Sequence, residues 1–102
     1  MRKTYIYKYT TKDGVLLGYH YDSFCTMGMD IKEAKRYPME ESSISAQTET
    51  IRTNFDYLCD HYGNGERKGF KKEDILLEIE ELSEGFCYEN NLTQTLVLVP
   101  LN

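Results

Sequence analysis

No run of apolar residues in this 102-residue chain is long enough to cross a membrane or to form the core of a signal peptide. Arg2 and Lys3 follow Met1 and polar residues recur from there on, so the expected compartment is the cytoplasm. Cysteine is sparse: Cys25, Cys59 and Cys87 are odd in number, widely spaced and without a Cys-x-x-Cys pair. That pattern argues against a disulfide framework and against a zinc finger, and reduced thiols with no metal are expected. Internal repeats and low-complexity tracts are absent, which leaves a single compact domain over residues 1–102. Tryptophan is missing altogether, and after Lys72 there is no basic residue.

Against these gaps stands an excess of tyrosine, nine in all, five of which fall in one short stretch at positions 5, 7, 9, 19 and 21. Residues 4–11 and 15–22 are rich in β-branched and aromatic side chains and flank Lys12-Asp13-Gly14, the signature of a β-hairpin. A two-residue loop would set Tyr7 against His20 and Tyr9 against Gly18. A three-residue loop with Gly14 left-handed sets Tyr5 against Tyr21, Tyr7 against Tyr19 and Tyr9 against Leu17. Aromatic cross-strand pairs contribute roughly 0.2–1 kcal/mol each, so the second register is the expected one. The resulting stripe reads either as core beneath a helix or as a contact surface, because tyrosine joins an apolar body to a polar tip.

Further along, Asp30-Ile31-Lys32-Glu33 has the form of a capping box, and Pro38 forces Tyr37 into extended geometry, so a short helix ends before it. Ile31 and Ala34 are expected to tack this piece onto the core. The strongest helix signal runs from Ala46 to Tyr62, where Ile51, Phe55, Leu58, Cys59 and Tyr62 repeat with a 3.6-residue period. Gly63-Asn64-Gly65 then reads as its C-cap and not as a phosphate cradle, since it follows a helix and lacks a Lys-Ser/Thr ending. Residues 74–82 fit either a strand or a helix; a strand is preferred because it gives the apolar segment 93–100 a sheet neighbour. Residues 86–88 are a candidate short strand. The expected fold is α+β: a small antiparallel sheet begun by the N-terminal hairpin, with one main helix packed across it and one short helix besides.

Charge is divided unevenly, with seven basic and four acidic residues up to Met39, against five basic and thirteen acidic from Glu40 onward. The acidic balance argues against direct nucleic-acid binding, which needs a basic footprint. No motif specifies a reaction. His20, Asp22 and Cys25 lie near one another in sequence, but nothing marks an oxyanion site, so no catalytic residue and no cofactor is expected.

These features suggest a non-enzymatic protein-binding domain. It would be a small acidic inhibitor of a basic, nucleic-acid-handling partner, of the sort phages and mobile elements encode. Its contact residues would be the carboxylates Glu73, Asp74, Glu78, Glu80, Glu81 and Glu84 and the tyrosines Tyr5, Tyr7, Tyr19 and Tyr21. One alternative is a ligand-binding or enzymatic pocket between helix and sheet, lined by Tyr7, Tyr19, Phe55 and Tyr62. Another is a self-assembling subunit that pairs through the hairpin edge carrying Lys8 and Lys12.

Overall fold

A computed structural model describes residues 3–62 and 66–82. The fold is α+β, as the sequence implied. Strand β1 (Lys3–Thr11) is the centre of an antiparallel sheet. Strands β2 (Leu16–His20) and β4 (Tyr37–Met39) pair with successive parts of one of its edges, and β3 (Met27–Gly28) continues outward from β2. A single long helix, α1 (Ile44–Tyr62), lies on one face. Beyond it, β5 (Glu66–Arg67) and β6 (Phe70–Lys71) form a small hairpin, and β7 (Ile75–Leu82) returns along the other edge of β1.

The segment that fitted both helix and strand is strand throughout, with Thr4 opposite Leu82 and Thr11 opposite Ile75. Eight paired positions against the central strand satisfy backbone groups that an isolated helix of this length would satisfy less cooperatively. β7 and β2 flank β1 on both sides, so the strand that carries Lys8 has no open edge to offer a second copy.

The hairpin turn forms as expected: Gly14 is left-handed at φ 88°, and the Thr11 amide donates to the Val15 carbonyl at 2.9 Å. The register beyond the turn does not. Thr10 pairs with Leu16, but Tyr9 pairs with Gly18 and Lys8 with Tyr19, so β2 carries one extra residue as a bulge. That slip rotates His20 onto the face of Tyr7 and Tyr9 and sends Tyr19 to the opposite face, against Ile6, Ala34 and Leu82. The predicted pairs Tyr5–Tyr21, Tyr7–Tyr19 and Tyr9–Leu17 do not form. The aromatic stripe gains its partners from α1 and His20 instead: Tyr9 stacks on Phe55 with ring centroids 4.9 Å apart.

Gly18 is what allows the bulge. It is buried, and a Cβ there would sit 3.0 Å from the Gly28 amide nitrogen and 3.1 Å from its carbonyl oxygen, both backbone atoms of β3. Backbone cannot yield as a side-chain tip can, so Gly18→Ala is expected to lower stability by about 1–3 kcal/mol. Urea unfolding of the variant measures this; an unchanged midpoint would mean that β3 does not sit against β2.

Asp30 caps a single 3-10 turn (Ile31–Glu33), its carboxylate accepting from the Lys32 amide at 3.0 Å. The capping residue is as read; the helix beyond it stops after one turn because the chain must reach β4. Ala34 and Ile31 pack on the back of the sheet with Ile6. The core proper lies on the other face, where Ile51, Phe55 and Cys59 of α1 are buried, the latter two among Tyr9, Leu17, Cys25 and Ile75. Arg52 fastens the helix to the start of β7, bonding the carbonyls of Ile75 and Lys72 and the carboxylate of Asp56. The candidate C-cap at 63–65 and the candidate strands at 86–88 and 93–100 lie outside the described residues, as does Cys87.

Candidate functional site

Three of the hairpin tyrosines are core. Tyr5, Tyr7 and Tyr9 are all buried on the face turned toward α1. The expectation that Tyr5 and Tyr7 reach a partner is corrected: both are buried, Tyr7 against Thr48 of α1. The Thr48 hydroxyl donates to the Ile44 carbonyl at 2.8 Å, so its oxygen is left to accept from the Tyr7 hydroxyl, 2.9 Å away. Tyr19 packs on the back of the sheet. The Tyr21 hydroxyl accepts from the Asp30 amide at 2.9 Å, which ties β2 to the 3-10 turn. The postulated pocket lined by Tyr7, Tyr19, Phe55 and Tyr62 also fails. Tyr7 and Phe55 are fully buried, Tyr19 is on the other face, and Tyr62 is 79% exposed.

At the centre of the tyrosine face sits buried His20. Its Nδ1 lies 2.6 Å from the Tyr9 hydroxyl and its Nε2 lies 2.9 Å from the Tyr37 hydroxyl. The Tyr37 ring stacks on the imidazole at 5.9 Å, and Tyr7 meets Tyr37 edge-on at 5.3 Å. Burial, reinforced by the positive charge of Lys35 and opposed by Asp22, lowers the imidazole pKa to about 4. A neutral ring has one donor and one acceptor, so one tyrosine donates to it and the other accepts. Burial also pushes the Tyr37 hydroxyl up to about 12, so that tyrosine stays protonated.

This arrangement leaves no imidazole nitrogen for the Cys25 thiol, which is itself buried. Asp22 is occupied too, accepting from the amides of Phe24 at 3.0 Å and Thr26 at 3.3 Å. Its turn sets Cys25 in a left-handed conformation at φ 57°. The trio His20, Asp22 and Cys25 thus braces the end of the hairpin. Among the described residues, no group of three or more His, Cys, Asp or Glu side chains is placed to hold a metal.

The acidic residues divide into two sets. Glu81 pairs with Lys3 at 3.0 Å, Glu80 with Lys8 at 2.9 Å and Asp74 with Lys12 at 3.6 Å. The antiparallel pairing of β1 with β7 lays a lysine-bearing strand beside an acidic one, which gives a structural role to the inversion of charge along the chain. The Glu80 and Glu81 carboxylates are largely covered, while their lysines stay in part open to water. Glu73 and Glu78 are exposed, Glu78 lying across the strands from Lys8, whose ammonium bonds Glu80. Glu84 lies outside the described residues.

The basic stretch is likewise committed in part. Lys68 and Gly69, both at positive φ, form the two-residue turn between β5 and β6. The Lys68 ammonium donates to the Leu17 carbonyl at 2.9 Å, and Lys72 pairs with Asp60 at 2.8 Å. Asp60, Asp56 and Glu73 all raise the Lys72 pKa, the hydrogen bond to Asp60 being the largest cause. Carboxylates of α1 and of the 3-10 turn Lys72–Asp74 therefore gather around Lys72, on the flank of the helix that Arg52 fastens to β7.

At the C-terminal end of α1 lies a group of exposed aromatic side chains. Tyr57 is 57% exposed, Tyr62 is 79% exposed, and His61 lies between them with its ring centroid 4.1 Å from Tyr57 and 6.4 Å from Tyr62. Sequence reading placed Tyr62 on the buried stripe and gave Tyr57 no role. The i, i+4 spacing of Tyr57 and His61, off the Ile51–Phe55–Cys59 stripe, was the available signal.

Comparison with known proteins yields no matching family model, no similar curated protein and no similar solved structure.

Proposed function

We propose that this chain is a non-enzymatic binding domain for a protein partner with a basic surface. The observation that carries this reading is the exposure, on α1 and its neighbouring 3-10 turn, of the rings of Tyr57 and Tyr62 together with the carboxylates of Asp60 and Glu73. Tyrosine is enriched in the centre of protein interfaces and charge complementarity steers encounter, so the two together fit a protein contact. Glu78 on β7 adds an exposed carboxylate on the opposite face of the sheet, across from Lys8. The most specific form of the proposal is an inhibitor of a nucleic-acid-handling protein, whose basic groove would accept carboxylates in place of phosphates. No helix among the described residues is long and apolar enough to cross a membrane.

The reading is tested by retaining the tagged protein on resin with lysate of its source cell, at low and then at moderate salt. One stoichiometric, basic partner that dissociates as salt rises is the expected result. Capture of nothing at either salt contradicts it.

A further inference from the structure

We infer that residues 93–100 of this chain dock on the outer side of β7 as one more antiparallel strand of the sheet. The Thr11 amide and carbonyl are engaged by Val15 and Gly14, on the β2 side of β1, so the Thr11–Ile75 pair exchanges no backbone hydrogen bond. Ile75 therefore turns its N–H and C=O away from β1, and its carbonyl is met there by Arg52. By alternation Leu77, Ile79 and Glu81 turn theirs outward as well. No strand among the described residues pairs with that side of β7.

The edge leaves apolar surface open on both faces of the sheet. Ile79, opposite Tyr7 on the α1 face, is 36% exposed, and Leu76, opposite Thr10 on the back, is 39% exposed. β7 also lacks the devices that keep an edge unpaired: it has no proline, it pairs with β1 without a bulge, and Glu80 and Glu81 are drawn to Lys8 and Lys3. In 93–100, Leu96, Val97, Leu98 and Val99 are apolar in succession, the pattern of a strand with apolar contacts on both faces, and nothing in the segment is charged.

The two segments match in length, and residues 83–92 join them for an antiparallel return. Paired end to end, Leu96 falls opposite Ile79 and Leu98 opposite Leu77 on the α1 face, while Val99 falls opposite Leu76 on the back. The same register sets Pro100 opposite Ile75. Proline has no N–H to give, and the Ile75 carbonyl is already supplied by Arg52. The one residue that cannot donate thus meets the one outward carbonyl that has its donor. Glu78 keeps its carboxylate on the back of the sheet, so this inference does not draw on the basic-partner reading.

The test is NMR of the full chain. Close Hα–Hα contacts are expected between Leu76 and Val99 and between Glu78 and Val97, the pairs that exchange no hydrogen bond in this register. The amides of Leu77, Ile79 and Glu81 should exchange about tenfold or more slowly relative to Leu98→Pro, while those of Phe55 and Cys59 keep their protection in both. The Hα contacts need no variant, so a Leu98→Pro chain that failed to fold would leave the test in place. Absence of those contacts, or protection of the three amides that survives Leu98→Pro, overturns the inference. Protection that grows with protein concentration overturns it too, since it gives the edge to a second copy.

Discussion

Phe55→Ala is expected to cost about 3–5 kcal/mol, the usual range for removing a fully buried phenylalanine. The ring has no solvent exposure, stacks on Tyr9 at 4.9 Å and is covered by Arg52, so its loss opens a cavity between helix and sheet. Neither neighbour can collapse into the space: Tyr9 is held by His20, and Arg52 by two carbonyls of the β7 entry. Domains of this size have about 5–15 kcal/mol of stability in all, so the variant should be partly unfolded at room temperature or lose about a fifth or more of its urea resistance. A loss below about 1.5 kcal/mol would mean that α1 does not pack on the tyrosine face.

The second large effect is a pH dependence centred on His20. The folded pKa is lowered to about 4 from 6.5, so between these values the unfolded chain binds a proton that the folded chain does not. Stability is therefore full above about pH 6.5 and falls as pH drops toward 4, by about 3 kcal/mol at 1.36 kcal/mol per pH unit. Asp22 also has its pKa lowered: burial raises it, but the hydrogen bonds from Thr26 and Phe24 outweigh that, and the consequent loss comes at lower pH. His20→Leu should remove the slope between pH 6.5 and 4 while lowering stability at pH 7, since the hydroxyls of Tyr9 and Tyr37 lose their partner. Histidine Cε1 chemical shifts followed by NMR give the direct check. A His20 resonance titrating near its ordinary value would show the imidazole to be open to water.

Much of the fold was legible because it rests on local patterns. The 3.6-residue stripe through Ile51, Phe55 and Cys59 is α1, Gly14 is left-handed in the first turn, and Asp30 caps where it was read to cap. What escaped depends on contacts far apart in sequence. The bulge at Leu17 and Gly18 is set by how closely β3 approaches, and nothing in residues 15–22 alone encodes that distance. A one-residue slip then exchanges His20 for Tyr19 on the core face, and a buried Tyr–His–Tyr chain replaces the tyrosine pairs that local propensity favoured. The acidic stretch misled for a related reason. Its carboxylates read as one surface, yet the register of β7 on β1 gives Glu80 and Glu81 to lysines from the other end of the chain. Of the proposed contact residues, Tyr5 and Tyr7 went to the core, while the exposed rings of Tyr57 and Tyr62 became visible only once α1 was seated.

The central claim is that partner contact is made by exposed carboxylates beside α1 and on β7, whereas those paired with β1 hold the sheet. It is tested most directly by comparing Glu73→Lys/Glu78→Lys with Glu80→Lys/Glu81→Lys for affinity to the captured partner and for unfolding midpoint. The first variant should lose affinity by about tenfold, with a fall in midpoint smaller than the second's, since Glu78→Lys sets a like charge opposite Lys8. The second should unfold earlier, its lysines Lys3 and Lys8 now facing like charge, and bind as the wild type does when folded. A folded Glu80→Lys/Glu81→Lys protein that loses the partner, beside a Glu73→Lys/Glu78→Lys protein that keeps it, would contradict the account.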